Sequence, residues 1–284
     1  MPEGRNAAQK NRKGKCAMQR QPAVAGQFYP GSEQKLRDAL SQLIPENPAP
    51  LPVKGVMSPH AGYIYSGAIA GRLFGRIAIP GTVLIIGPNH HGNGEAAALY
   101  PDGEWLTPLG VSAINSRLNS LLLKHSRYLR SDKIAHQNEH SLEVQLPFIQ
   151  YLRPDVTFAA LCIGHGDYAP LRDIGHGIAA AIREFGEEVL IVASSDMTHY
   201  ESADSARQKA EMALERALAL DGKGLLEVCR SRGITMCGVV PATVMIEAAL
   251  QLGALQAELV AYGNSGDVSG DNRQVVGYAA VAVY

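Results

Sequence analysis

The chain has 284 residues, 46% of them hydrophobic and 19% charged, which is enough apolar material for one large core, and its formal net charge is −1. Its first twenty residues hold six bases (Arg5, Lys10, Arg12, Lys13, Lys15, Arg20) against the single acid Glu3; removing them from totals of 26 and 27 leaves 20 basic and 26 acidic side chains, a body at −6. Such a body argues against a nucleic-acid surface on the folded part, and no apolar run is long enough to cross a bilayer.

The basic start has no apolar core of the signal-peptide kind. The expectation is therefore a cytoplasmic protein with a disordered basic tail over 1–21 and a single α/β domain over 22–284. Of the four cysteines, Cys16 falls in the tail, Cys162 in an apolar strand, Cys229 late in a helical run and Cys237 after a turn. Their spacing suggests neither a disulfide framework nor a zinc ribbon, as befits a reducing compartment.

In chain order, an extended segment over 22–31 leads to a helix from Ser32 to about Ile44, with Leu36, Leu40 and Leu43 on one face. Prolines 45, 48, 50 and 52 stop it. A strand over 53–58 enters the loop Pro59–Ser66, whose glycines allow tight turns, and a helix runs from about Ala68 to Ile77. A strand over 82–86 and the loop Gly87–Gly94 complete a strand–helix–strand unit. Short strands over 96–114, read as an antiparallel excursion by their turns at Pro101-Asp102-Gly103 and Pro108-Leu109-Gly110, precede a helix over 116–125. The polar stretch 131–140 reads as a loop, after which Ser141 or Asn138 caps a helix carrying Leu142, Val144, Leu146 and Phe148. A strand over 156–163, a helix over 168–185, a strand over 188–195, helices over 203–219, 221–231 and 241–252, and strands near 257–262 and 275–283 follow. This alternation predicts a three-layer α/β/α fold with a central mixed sheet.

Three apolar runs end in loops rich in imidazole and acid. They are Pro59-His60-Ala61-Gly62-Tyr63, Gly87-Pro88-Asn89-His90-His91 and Ser194-Ser195-Asp196-Met197-Thr198-His199-Tyr200. Open α/β sheets bind ligands at the carboxyl ends of their strands. Imidazoles from different strand ends can converge on one iron, copper or zinc ion, so His60 and His90 are the first candidate ligands. A third is sought among Cys237, which precedes a helix whose N-terminus stabilises thiolate, and Asp196. His199 and His140 suit acid–base work. Tyr63, Tyr200 and His91 are candidate substrate contacts, with Tyr65 beside them, whereas His125, His136, His165 and His176 stand in weaker contexts. No phosphate-cradling loop or serine-hydrolase elbow is present. A nucleophilic pair of Cys237 with a histidine stays open.

Six segments in one order carry a resemblance: Ala25-Gly26-Gln27-Phe28-Tyr29-Pro30, the two histidine loops, Glu139-His140-Ser141-Leu142-Glu143 with Leu146-Pro147-Phe148, Ser194-Ser195-Asp196 with His199, and Cys237-Gly238 with Pro241. The chain resembles the Memo family, whose bacterial and archaeal members are called AmmeMemoRadiSam system protein B. That family is similar in fold to the class III extradiol dioxygenases. The resemblance implies a metal held by His60, His90 and Cys237, with cysteine standing where the dioxygenases have glutamate. It also implies an acid–base role for His199 and pocket roles for His140 and Asp196. Iron(II) is the expected metal, then copper, with zinc behind them. Radical-SAM and AMMECR-type proteins are the implied partners, and the substrate is an unidentified small molecule or peptide. The animal form has Cys-Gly-Arg-His-Pro where this chain has Cys237-Gly238-Val239-Val240-Pro241, so a positive charge is missing there. Two functional readings follow, a metal-dependent redox enzyme and a scaffold that holds a peptide in the old cleft.

Overall fold

The computed structural model describes residues 19–284; the remainder of the expected tail, with Cys16, lies outside the described residues. The elements in order are β1 (Gln19–Arg20), α1 (Glu33–Leu43), β2 (Gly55–Ser58), α2 (Tyr63–Arg76), β3 (Thr82–Pro88), β4 (Ala97–Leu99), β5 (Glu104–Thr107), β6 (Gly110–Ala113), α3 (Ser116–His125) and β7 (Arg130–Ser131). There follow α4 (Leu146–Leu152), β8 (Thr157–Ile163), α5 (Tyr168–Phe185), β9 (Val189–Ser194), β10 (His199–Glu201), α6 (Ala203–Leu218), α7 (Gly222–Ser231), α8 (Val239–Gln251), β11 (Ala257–Asn264), α9 (Gly266–Ser269) and β12 (Val275–Val283).

Four parallel strands in the order β2-β9-β3-β8 form the centre of the main sheet. β12 joins antiparallel beyond β2, and β4 antiparallel beyond β8, so the sheet is mixed as expected. Each central strand is apolar on both faces. Along β3, Leu84 and Ile86 enter one core while Val83 and Ile85 enter the other, and all four are 0% exposed. The α5, α6, α7 and α8 layer covers the first face and the α1, α2 and α4 layer the second, which makes the three-layer α/β/α architecture. Residues 96–114 divide: β4 stays with the main sheet, whereas β5 and β6 form a hairpin that pairs with β1 in a small separate sheet.

Several boundaries differ from those expected, for physical reasons. Helix α2 starts at Tyr63 rather than Ala68, because Gly67, expected to serve the loop, is a helix residue like Gly71 and Gly75. Spaced four apart on the helix, they let it lie against the end of α1, and a Cβ at Gly71 would overlap the Leu43 carbonyl. Neither Ser141 nor Asn138 caps α4. A short 3₁₀ turn over Glu143–Gln145 precedes it, and Pro147 fits its first turn, where a missing N–H costs nothing. The polar stretch 131–140 contains a second such turn, Ile134–His136, with His136 fully buried. Arg20, counted with the tail on composition, is built into the body: it is 7% exposed, lies 4.1 Å over the Trp105 ring and pairs with buried Glu143 at 2.6 Å.

Candidate metal centre

Strand order places the three imidazole-bearing loops side by side. β9 lies between β2 and β3 with Ser58 opposite Ser194, so the loops after these strands leave the same sheet edge as neighbours. Cys237 arrives from the helical layer, in the turn before α8. Gly238 makes that approach possible: a Cβ there would overlap the Ser194 carbonyl, and its N–H donates to Ser195 Oγ at 3.1 Å. On the other side, Gly87 lets the 139–142 segment press on the end of β3, since a Cβ would lie 2.5 Å from Leu142.

His60, His90 and Cys237 each offer a ligand atom within 4.8 Å of the other two. His60 Nε2 is 3.2 Å from Cys237 Sγ, while its Nδ1 lies 2.9 Å from Ser194 Oγ. His90 turns Nδ1 to Glu139 Oε1 at 2.9 Å and donates its backbone N–H to Oε2 at 2.8 Å, which leaves Nε2 free. Four-coordinate sites with nitrogen ligands near 2.1 Å and sulfur near 2.3 Å set neighbouring donors roughly 3.4–3.8 Å apart. His60 Nε2 and Cys237 Sγ lie close to that spacing, and with His90 inside the same 4.8 Å the set could hold such an ion and leave one coordination position over. Glu139 is fully buried, and orienting a ligand histidine by a buried carboxylate is the usual support of a metal-bound imidazole. His90, Glu139 and His140 form a second set within 4.8 Å. That set shares only His90 with the first, and Glu139 within it already binds the His90 ring.

Burial governs the charges here. It pushes the His60 imidazole well below its usual range, helped by His140 and His90, so the ring is neutral and ready to bind a cation. Burial likewise lowers His140, to about 4, and lowers His199. Burial raises Asp196 to about 7 despite the His60 and Ala61 amides that donate to it. Glu139 goes the other way: burial alone would raise it, but the His90 ring and the Ser141 and His90 amides hold it below the carboxylate range. The Cys237 thiol is pushed well above its normal value by burial and by Asp196, against the amides of Asp196 and Gly238. The expected thiolate stabilisation by the α8 N-terminus is therefore overridden. A thiol raised in this way lacks the low pKa that a cysteine–histidine hydrolase pair calls for, although His60 Nε2 stands 3.2 Å from its sulfur.

The other expected site residues are distributed as follows. Asp196 accepts the His60 amide at 2.8 Å and donates its own to Cys237 Sγ at 3.3 Å, so it ties two candidate ligands together rather than being one. His140 stacks on His90 with ring centres 4.8 Å apart and meets His60 edge-on at 5.5 Å. His199 donates its amide to Thr235 Oγ1 and sets Nδ1 2.9 Å from the Thr235 carbonyl. It lies at the start of β10, where the register with β12 shifts around Tyr200, a residue held at φ 59. Tyr200 itself is 73% exposed. Tyr63 belongs to the core: its hydroxyl donates to the Val144 carbonyl at 2.8 Å and its ring packs on Phe148, so it lacks the free hydroxyl expected of a substrate contact. His91 sits on the rim, Nε2 3.0 Å from the Asn138 carbonyl. A cavity of about 430 Å³ opens beside Cys237 and His90, lined by Ile163, Leu226, Met236 and Val240 with His165 and Arg230. Sequence reasoning gave no role to Ser194 or Gln145 and saw Glu139 only as a neighbour of His140.

The whole chain was compared with known proteins. Residues 20–282 match the family described as Memo-like protein. A MEMO1 family protein of Methanopyrus kandleri is 41% identical, covering 93% of this chain and 98% of its own. One from Aquifex aeolicus is 42% identical, covering 91% and 97%. Among solved structures, the uncharacterized protein JW3007 from Escherichia coli K12 aligns with a TM-score of 0.44 at 14% identity, over 82% of this chain and 100% of that one.

Proposed function

The chain belongs to the Memo-like protein family, and from that premise we propose that it is a metal-dependent redox protein of extradiol-dioxygenase ancestry. In this reading His60, His90 and Cys237 hold a non-haem iron(II), or copper, with zinc a weaker fit. The substrate is an unidentified small molecule or peptide, and the protein works in the cytoplasm with radical-SAM and AMMECR-type partners. One observation carries it: two imidazoles with their Nδ1 atoms engaged, and a thiol, gather within 4.8 Å at the ends of β2 and β3. Among the described residues no helix is long and apolar enough to cross a membrane, which agrees with work away from the bilayer.

When bound, the ion would supply a redox-active Lewis acid in a cleft where carboxylate orientation and burial are already set. A thiolate ligand favours iron or copper(I) over magnesium or calcium. Cys237 must shed its proton to bind, so metal uptake releases a proton and weakens as pH falls. Asp196, pushed up to about 7, keeps the loops of His60 and Cys237 together and can carry a proton near neutrality. His199, its ring kept neutral by burial, is the group to accept a proton from a substrate hydroxyl, and His140, stacked on His90, lines the candidate ligand cluster.

Anaerobic purification followed by metal analysis tests the site: His60→Ala and Cys237→Ser are expected to lose most of the metal found in the wild type. Unchanged content in both variants sinks it. The exposed Tyr200 beside His199 favours a second reading, a scaffold holding a peptide over the cleft, which predicts partner capture indifferent to metal.

A further inference from the structure

We propose that Ser194, backed by Gln145, is a positioning residue that fixes the His60 ring as its Nδ1–H tautomer and so presents the Nε2 lone pair to the metal position. The inference rests on the reading of His60 as a ligand. It follows from counting hydrogens around one buried hydroxyl. Ser194 is 0% exposed, and its Oγ has three polar neighbours: the Ser141 carbonyl at 2.6 Å, Gln145 Nε2 at 2.8 Å and His60 Nδ1 at 2.9 Å. A serine hydroxyl has one hydrogen and two acceptor lone pairs.

The Ser141 carbonyl can only accept, so it takes the single hydrogen. Gln145 Nε2 can only donate. Its orientation is settled by two further carbonyls that the same nitrogen faces, Pro59 at 2.9 Å and Ser58 at 3.4 Å, since a flipped amide would set oxygen against oxygen at each. One lone pair of Ser194 thus receives Gln145, and the other faces His60 Nδ1. That nitrogen has to be the donor. The alternative, with the hydroxyl hydrogen turned towards Nδ1, would strip the buried Ser141 carbonyl of its short bond. With Nδ1 protonated and the ring neutral, Nε2 is left as a lone pair 3.2 Å from Cys237 Sγ.

The two candidate ligand histidines are therefore held by different means. Glu139 holds the His90 ring with a charge, whereas a neutral relay, Gln145 to Ser194 to the Ser141 carbonyl, holds His60. The relay also ties together the ends of β2 and β9 and the segment before α4, which are the three pieces of backbone that frame His60.

The test reads the tautomer directly. In metal-free protein labelled with ¹⁵N histidine, long-range ¹H–¹⁵N correlations are expected to show a protonated Nδ1 and an unprotonated Nε2 for His60, assigned by its loss in His60→Ala. In Ser194→Ala the ring is expected to become a mixture of tautomers, with cobalt(II) affinity reduced about 10- to 100-fold, the usual effect of losing a partner behind a metal-bound imidazole. Ser194→Thr, which keeps the hydroxyl, restores both. A protonated Nε2 in the wild type overturns the proposal, whatever becomes of the variants. So does a Ser194→Ala protein whose tautomer and affinity match the wild type. Failure of the wild type to give a cobalt–thiolate charge-transfer band would instead count against the metal reading while leaving the tautomer result standing.

Discussion

Glu139 offers two buried oxygens to three donors, the His90 ring, the His90 amide and the Ser141 amide, and so converts one side chain into the frame for a strand-end loop. Such a residue is hard to see in a sequence, where it is one acid among 27 charged carboxylates and its partner stands 49 positions away. His60 and His90 stood out as candidates because imidazole is scarce and each follows a recognisable turn, whereas Cys237 competed with Asp196 until the family resemblance favoured it. His136 did not stand out, since only the fold buries it. Burial, the largest influence, together with nearby Arg20, pushes its imidazole down to about 4, against the bond of Nε2 to the Ala98 carbonyl. Its folded pKa lies below the unfolded value near 6.5, so the unfolded state binds its proton first as pH falls. The associated stability is complete above about pH 6.5 and is lost on going down through 4, a change of about 3 kcal/mol. By urea unfolding at pH 7 and pH 4, the wild type should therefore lose about 3 kcal/mol more stability than His136→Gln on going to the lower pH. Parallel curves would mean that His136 is already charged in the fold.

At the level of elements, the segment before α1 is a strap across the carboxylate-bearing loop. Arg20 donates to the His136 and Glu139 carbonyls and pairs with Glu143, while Glu143 also accepts the Ala23 and Val24 amides and the Tyr29 hydroxyl. Removing one member of a buried ion pair leaves the other uncompensated, at about 3–5 kcal/mol. Because Glu143 keeps three other donors, Arg20→Met is expected at the low end, about 3 kcal/mol, and Arg20→Met with Glu143→Gln should recover part of it. Chemical denaturation of the two single variants and the double variant measures the coupling; a loss below about 1 kcal/mol in Arg20→Met would show the strap to be energetically idle. Composition had grouped Arg20 with the basic tail, because charge counts carry no pairing information. The helices with clear apolar periodicity, α3 and α5, fell on their expected residues, whereas α2 was cut short by glycines that serve a helix–helix contact. β10 went unseen because its three residues pair with distant β12.

For the molecule as a whole, the order of the strands decides what the histidines can do. Alternating apolar runs and helical patterns were enough to read a three-layer fold with a mixed sheet, but not the order β2-β9-β3-β8, which depends on pairings between residues far apart in sequence, such as Ser58 with Ser194. That order sets the Asp196 loop between those of His60 and His90, and the α8 turn then brings Cys237 from the layer on one face of the sheet. A metal held by these residues would therefore join two central strands to a helix layer that packs against them. Unfolding of either part has to release the ion. Ferrous iron, added anaerobically at 100 times its dissociation constant, is then expected to raise global stability by about 2.7 kcal/mol, and the gain should vanish with a chelator. His60→Ala and Cys237→Ser should keep the fold and show no gain. Hydrogen exchange separates this coupling from a local effect: amides of β2, β3, β9 and α8 should all slow together, because they open in one cooperative unit. Protection confined to the Pro59–Gly62 and Cys237–Val239 turns would mean that the ion merely rigidifies two loops, and the sheet and its helix layer would then be stable without it.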